Sequence, residues 1–278
     1  MARIADRIYM PNLDPKFVAR VNSDGNWWVA RFVENIDTLN KLAATLPRRL
    51  PWEYKTADEF KARAARIADP NQKLKLWWSD MLDQIQAFGL TSAWRLTEVA
   101  SSAVWAIRRN DPICAAIMGR AGLETVANYA WFQTKVRPAI ESLIENKQMG
   151  YVADLEDELL KTLFASRMET EEFYHPTNIV TVIRNIAKKI PHQEDVGPCY
   201  ETLCEVSHPN MLGRSIYLSK VNGRTVISRD RGPSVAIIER ATLLALSWAS
   251  GTLPESVGAM QATGRRALEH FDIHHSLT

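Results

Sequence analysis

The longest apolar stretch of the chain is Pro112–Phe132, in which Arg120 and Glu124 are the only charged side chains. Asp111 can cap this stretch with its side-chain oxygen, and Pro112 suits the first position of a helix. A helix that is apolar on nearly all sides is buried on nearly all sides. The pattern therefore predicts the central helix of a soluble bundle. Its length would suit a membrane span, but two charges in mid-stretch argue against one.

Apolar positions recur at helical spacing over most of the remaining chain. Met1–Gly25 lacks this spacing and carries turn signals, so it is predicted to be irregular. The other predicted helices are Trp27–Leu46; a short helix from a capping box at Thr56 to about Ala68; a helix that starts at Asp69-Pro70 and is broken or bent at Gly89; Ser92–Arg109, capped by Thr91; Lys135–Gln148, with a kink site at Pro138; Val152–Arg167; Asn178–Ile190, capped by Thr177; Pro198–His208; Pro233–Ser250; and Glu255–Phe271.

One segment departs from the helical pattern. Ser215–Lys220 and Arg224–Arg229 are β-prone runs on either side of Asn222-Gly223, and Asn-Gly in this setting is a strong hairpin signal. The predicted fold is therefore all-α: a multi-helix bundle around a central buried helix, with one small β-hairpin. We expect a single helical domain over 1–278, with 1–68 as a helical extension and 69–278 as the core.

Composition narrows the class of protein. Hydrophobic residues make up 46% of the chain, so it can bury a large core, and a net charge of +2 gives no global basic signature of a nucleic-acid binder. The net charge does not exclude a basic face on one part of the surface. The three cysteines lie in apolar contexts without CxxC spacing, and no secretory leader is evident, which predicts a reduced, cytoplasmic protein with free thiols. No nucleotide-loop, zinc-protease or hydrolase motif occurs, so we expect no metal, no cofactor and no membrane partner.

Arg120 and Glu124 are one helical turn apart and share a stripe with Ile113, Ile117 and Trp131. Charges on such a stripe need a partner, because an unpaired buried charge costs several kcal/mol. Two interpretations stay open. The two residues form a structural ion pair, or they are half of a polar site that another helix completes.

The run from Tyr200 to Asn210 is the candidate for that other helix. Tyr200, Cys204 and His208 fall on one helical face, and His208 comes at the C-terminus, where the helix dipole favours imidazolium. We predict that Glu124 lies within hydrogen-bond reach of His208 or Tyr200, and that Arg120 pairs with Glu124. The alternative is that His208 only ties the helix end to a neighbouring group.

These two motifs, RAGLETVANYAWF and YETLCEVSHPN, resemble those of a widespread group of prokaryotic helical proteins similar to the HEPN superfamily. The resemblance covers roughly residues 90–250. It implies a HEPN-like core that is directed at RNA or a nucleotide, as a metal-independent ribonuclease with a toxin or defence role, and that forms a homodimer. On this interpretation the motifs supply Arg120, Glu124 and His208 for catalysis and Tyr200 and Asn210 for substrate binding. Arg214, beside the hairpin, is predicted as a further substrate-binding residue. The alternative is a non-catalytic interaction or regulatory module.

Catalytic HEPN members carry an arginine and a histidine separated by four to six residues, and this chain departs from that spacing. Arg184 and His192 have seven residues between them, whereas Arg265 and His270 have four. Both pairs stay open as minor candidates. The arginines on or beside the hairpin offer phosphate contacts or protect the sheet edge: Arg214, Arg224, Arg229 and Arg231.

Overall fold

The computed structural model describes residues 14–50, 52, 57–147, 150, 152, 155–158, 161, 178–188, 194–208, 210–228 and 232–273. Over these residues the fold is all-α with one antiparallel hairpin, which confirms the predicted fold class. The helices are α1 (Pro15–Asn22), α2 (Trp27–Ala30), α3 (Phe32–Thr45), α4 (Ala57–Ala65), α5 (Pro70–Arg108), α6 (Pro112–Glu145), α7 (Ile179–Ala187), α8 (Val196–Ser207), α9 (Met211–Ser215) and α10 (Ser234–His270); the strands are β1 (Leu218–Val221) and β2 (Arg224–Ile227). Residues 155–158 are also helical.

The chain forms two compact units, each assembled from three stretches. Unit 1 contains Met1–Leu46, Ser92–Asn128 and Asn178–Pro254, and unit 2 contains Pro47–Thr91, Tyr129–Thr177 and Glu255–Thr278. Arg120, Glu124, the run from Tyr200 to Asn210 and the hairpin belong to unit 1. The expectation of a single helical domain with an extension at 1–68 stays a prediction.

Helix starts follow local capping chemistry, and one start was missed. The prediction that Met1–Gly25 is irregular is wrong for Pro15–Asn22, because Asp14 accepts a hydrogen bond from the Lys16 backbone N at 2.9 Å. This is the same Asp-Pro start that Asp111 provides for α6, where its side chain accepts from the Cys114 N at 3.2 Å. The predicted helix Trp27–Leu46 is interrupted by a turn at Arg31.

Caps were predicted at Thr177 and Thr56, and the structure gives a different cap residue for the helix after Thr177. Asn178, not Thr177, caps α7, and its side chain accepts from the Val180 backbone N at 2.9 Å. Thr56 lies outside the described residues, as do Thr177 and most of the predicted helix Val152–Arg167.

The break predicted at Gly89 is wrong, because α5 is continuous through it. A β-carbon on Gly89 would lie 3.0 Å from the Tyr129 hydroxyl oxygen, so the glycine makes room for a buried aromatic side chain of α6. Thr91 does not cap a new helix; its hydroxyl donates to the Ala87 carbonyl oxygen at 2.9 Å, within the same helix.

Two prolines lie inside long helices. The prediction of separate closing helices is wrong, since α10 continues through Pro254, and α6 likewise continues through Pro138. An interior proline costs about 3 kcal/mol of helix stability. Leu253 and Val257 are buried on either side of Pro254. Burying these flanking side chains offsets the local cost, so packing overrides helix propensity here.

The core of unit 1 lies where α10 meets α5 and α6. Every residue of the run Ala241–Ser250 is buried, so this part of α10 has no solvent face. Leu123 of α6 has 0% exposure. A β-carbon on Gly122 would lie 3.3 Å from Leu96 and 3.6 Å from Leu246, which shows how closely the three helices approach. The prediction of a buried central helix therefore holds at Leu123, but α10 supplies the more completely buried run.

The stripe of α6 that was expected to be buried is half exposed. Ile117 has 41% exposure, and the side chains of Arg120 and Glu124 have 26% and 30%. The expectation that these charges interrupt a buried stripe is wrong. The buried side of α6 in unit 1 is instead the face of Leu123 and Val126, while Ala127 is the buried member of the stripe itself.

A polar layer joins α2 and α3 to α10 inside the core of unit 1. The Asn35 side-chain amide donates to the Ser247 hydroxyl at 2.8 Å, and Ser247 in turn donates to the Trp28 carbonyl oxygen. A β-carbon on Gly251 would lie 3.1–3.2 Å from the amide atoms of Asn35. The glycine therefore gives this amide the space it occupies.

Aromatic side chains form the core of unit 2. Trp78 stacks on Phe271 with ring centroids 4.5 Å apart, and its indole N–H donates to the Gly150 carbonyl oxygen at 3.2 Å. Phe88 packs edge-on against Phe132 at 5.0 Å.

The hairpin forms as predicted. β1 pairs with β2 from Leu218 opposite Ile227 to Val221 opposite Arg224. Asn222 and Gly223 have φ angles of 48° and 76°, which is the positive-φ pair that a two-residue hairpin turn requires.

We expect Leu123→Ala to lower the free energy of unfolding by about 2–5 kcal/mol, because it leaves a cavity between packed helices. Ile117→Ala, on the exposed side of the same helix, should cost less than about 1 kcal/mol. Urea denaturation of both variants measures the difference. Equal losses would contradict the assignment of the buried face.

Two glycines of α10 should respond to alanine with opposite signs. A β-carbon on Gly258 would meet no neighbouring side chain within 4 Å, so Gly258→Ala should raise the free energy of unfolding by about 0.5–1 kcal/mol. Gly251→Ala should lower it by about 1–3 kcal/mol, because the methyl group overpacks the Asn35 amide. Thermal melting of the pair checks this, and a stabilised Gly251→Ala variant would contradict the tight polar layer.

Candidate functional site

The structure brings three of the predicted site residues together in unit 1. The Arg120 Nε donates to the Glu124 Oε1 at 2.8 Å, one turn along α6. The Tyr200 hydroxyl of α8 donates to the same Glu124 oxygen at 2.8 Å. The predicted reach of Glu124 to Tyr200, with Arg120 paired to Glu124, is confirmed. We call Arg120, Glu124 and Tyr200 the carboxylate cluster.

Helix geometry explains why this cluster forms. Spacing of four residues puts Arg120 and Glu124 on one face of α6, and the orientation of Tyr200 follows from the burial of α8 residues on its own side, such as Cys199 and Leu203. The Cys199 thiol lies 3.1 Å from the Ala241 carbonyl oxygen of α10. The buried side of α8 therefore contacts both α6 and α10.

Burial and hydrogen bonding change the acid–base properties of the cluster. Burial raises the pKa of the Tyr200 phenol above its ordinary value, and its hydrogen bonds with Glu124 and Cys204 raise it further. For Arg120, partial burial lowers the pKa, but the hydrogen bond and the charge of Glu124 outweigh this, so the net shift is upward. At neutral pH the Tyr200 phenol is therefore neutral and the Arg120 guanidinium is charged.

The side chains of the carboxylate cluster form their hydrogen bonds with one another. One Glu124 oxygen accepts from both partners, and the Arg120 guanidinium carbon also lies 5.7 Å from the centre of the Tyr200 ring. A phenol with a raised pKa is a poor proton donor, and the Glu124 oxygen that would receive a proton already accepts two hydrogen bonds. This arrangement is best suited to a structural role, in which its hydrogen bonds hold α6 and α8 together.

Cys204 is the neighbour that the choice of site residues missed. It follows Tyr200 by four residues on α8, and the neighbouring thiol contributes to the raised pKa of the Tyr200 phenol. The i to i+4 spacing on α8 is the sequence signal that places it there.

His208 does not join the carboxylate cluster. It is the C-cap of α8, it is exposed, and its side chain has no hydrogen-bond partner among the residues that the structure describes. Eight residues along a helix correspond to about 12 Å at a rise of 1.5 Å per residue, so His208 lies about two turns from Tyr200. The structure thus gives Glu124 the Tyr200 partner and not the His208 partner. The Arg120, Glu124 and His208 set is not assembled.

Asn210 and Arg214 lie next to His208, at α9. The Asn210 side-chain amide donates to the Glu205 carboxylate at 3.0 Å, and its backbone carbonyl oxygen accepts from the Arg214 N at 3.1 Å. Arg214 is exposed, and within the described ranges its guanidinium has no partner. His208, Asn210 and Arg214 therefore form a separate surface, which we call the α8–α9 corner.

The two minor pairs stay predictions. Arg184 lies 3.8 Å from Glu201 in an exposed ion pair, and His192 lies outside the described residues. Arg265 is exposed, whereas the His270 ring packs edge-on against Phe271 at 5.2 Å. Arg229 and Arg231 also lie outside the described residues.

Searches for a metal site, a membrane-spanning helix and similar proteins found none, the first two within the described residues. The described residues contain no group of histidine, cysteine or acidic side chains that could hold a metal ion. No helix in the described part of the chain is both long and apolar enough to cross a membrane. No protein-family model matches the chain, and comparison with curated proteins and with solved structures found no match.

A double-mutant cycle between Glu124→Gln and Tyr200→Phe tests the tie between the helices. We expect a coupling of about 1 kcal/mol in the free energy of unfolding, because a charge-assisted hydrogen bond joins the two side chains in a half-exposed setting. Thr202 is the matched control on α8, since its hydroxyl donates only within its own helix, to the Pro198 carbonyl oxygen. Coupling of Glu124→Gln to Thr202→Val should be near zero.

The same variants make a pH prediction. Because folding raises the pKa of Tyr200, its contribution to stability is fully present below the unfolded-state pKa of about 10 and is lost as the pH rises toward the folded-state value. The stability difference between the native protein and Tyr200→Phe should therefore be constant near neutral pH and narrow above about pH 10. A difference that widens with rising pH would contradict a neutral Tyr200.

Proposed function

We propose that this protein is directed at RNA or a nucleotide and binds it at the α8–α9 corner. The observation that supports this best is a stretch without acidic residues. No aspartate or glutamate occurs between Glu205 and Asp230, and this stretch carries His208 and Arg214. Both side chains are exposed and have no partner within the described part of the chain.

The chemistry of these groups suits a phosphate ester. An arginine that is not engaged in an ion pair can contact phosphate oxygens with two parallel N–H donors. Metal-independent cleavage of RNA needs a base near the ribose 2′-hydroxyl and a cation at the phosphate. In this proposal His208 is the base and Arg214 is the cation, while the carboxylate cluster holds α8 in place. The resemblance to the HEPN superfamily supports the same substrate class.

Incubation of the pure protein with labelled RNA, with and without EDTA, tests both binding and cleavage. We expect an EDTA-resistant reaction that His208→Ala abolishes. Arg214→Ala should weaken binding about tenfold at moderate salt, because it removes a phosphate contact. Arg265→Ala is the matched control, since Arg265 is also exposed on a helix outside the corner. Equal loss in Arg214→Ala and Arg265→Ala would show that binding is non-specific.

A second candidate is a non-catalytic interaction module, and one observation favours it. Arg120, Glu124 and Tyr200 are hydrogen-bonded to one another, so two of the three residues predicted for catalysis, Arg120 and Glu124, join α6 to α8 instead. RNA binding without cleavage, unchanged by His208→Ala, would support this candidate over the ribonuclease.

A further inference from the structure

The hairpin exposes apolar side chains on both of its faces. Its pairing puts Leu218, Lys220, Thr225 and Ile227 on one face and Ser219, Val221, Arg224 and Val226 on the other. Ile227 has 86% exposure on the first face, and Val221 has 51% on the second. Leu218 on the first face and Val226 on the second are partly buried, but burial does not account for Ile227 and Val221.

The hairpin also has an unoccupied strand edge. In a two-residue hairpin the pair that flanks the turn is hydrogen-bonded, and hydrogen-bonded pairs then alternate. Ser228 N donates to the Tyr217 carbonyl oxygen at 2.8 Å, which fits this alternation. The backbone N–H and C=O groups of Thr225 and Ile227 therefore face away from β1. No further strand pairs with β2 in the described residues. An exposed edge of this kind is a template for an added strand.

The charge around this edge selects its partner. Lys220 and Arg224 are exposed on opposite faces of the hairpin, within the stretch that contains no acidic residue. Lysine and short strands also protect edges from unwanted pairing. Protection of the edge does not explain Ile227, however, because an isoleucine with 86% exposure favours association. Here the cations lie on the same short hairpin as this isoleucine. The combination of cations with aliphatic side chains fits a segment that is both acidic and apolar.

We propose that the β2 edge binds an extended, acidic segment of a partner protein by adding it as a third strand. Backbone groups of Thr225 and Ile227 pair with the segment, Ile227 contacts its apolar side chains, and Lys220 and Arg224 attract its carboxylates. RNA fits this edge less well, because aliphatic side chains offer no stacking surface for bases and RNA has no strand to pair. This function is separate from substrate binding at the α8–α9 corner.

Selection from a displayed library of random octapeptides on the full-length protein provides the probe. Counter-selection uses Thr225→Pro, which removes an outward N–H at an edge position where proline is tolerated. We expect the enriched peptides to alternate acidic and β-branched residues. Arg224→Glu and Thr225→Pro should each weaken the dissociation constant of an enriched peptide about tenfold or more, as the loss of about one charge-assisted contact or hydrogen bond predicts. Arg265→Glu is the charge-matched control and should leave it unchanged.

Three outcomes would overturn the proposal. One is the absence of peptides that distinguish the native protein from Thr225→Pro while both have the same melting temperature. Another is enrichment of basic or helical peptides. The third is binding of labelled poly-uridine that Arg224→Glu abolishes and Thr225→Pro does not, which would assign the hairpin to RNA through charge alone. Ile227→Thr separates contact from folding, because threonine keeps β-propensity while removing the apolar contact; native-like peptide binding by this variant would contradict the role of Ile227.

Discussion

The complete burial of Ala241–Ser250 is the constraint on which unit 1 depends. A helix with no solvent face must meet neighbours on every side, and each buried polar group that lacks a partner costs free energy. Thr242 donates to the Ile238 carbonyl oxygen of its own helix, whereas Ser247 reaches the Trp28 carbonyl oxygen and accepts from Asn35. The Cys199 thiol contacts the Ala241 carbonyl oxygen. One buried run thus fixes the positions of α2, α3 and α8, and with α8 it fixes Tyr200.

Local rules in the sequence account for the features that were predicted correctly. Asn222-Gly223 specifies its turn because glycine and asparagine tolerate positive φ. Arg120 and Glu124 pair because the α-helix places residues four apart on one face. These outcomes depend on neighbours along the chain, which a single sequence displays in full. The helix-capping rule would also have predicted α1, since Asp14-Pro15 repeats the helix start that was recognised at Asp111-Pro112.

Features that depend on distant neighbours could not be predicted in this way. Gly89 is a helix breaker by propensity, yet its place is set by the hydroxyl of Tyr129, forty residues further along. Pro254 likewise ends a helix by propensity, and buried flanking side chains keep it inside α10. The exposure of Ile117 has the same origin, because apolar character alone does not tell which side of a nearly uniform helix meets the core.

The candidate site illustrates the limit most directly. Face periodicity placed Tyr200 and His208 together, but periodicity describes the angle around a helix and not the distance along it. The Glu124 carboxylate hydrogen-bonds to Tyr200, which is the α8 side chain that lies opposite it along the helix axis. Its hydrogen bonds are then committed to Arg120 and Tyr200, whereas His208 and Arg214 stay exposed and unpaired within the described residues. A group that has satisfied its hydrogen bonds inside the fold gains little from a ligand, and a cation that faces water gains more from a phosphate. This is the physical reason why the proposed binding surface uses His208 and Arg214, and why the proposal gives the carboxylate cluster the role of holding α8 in place.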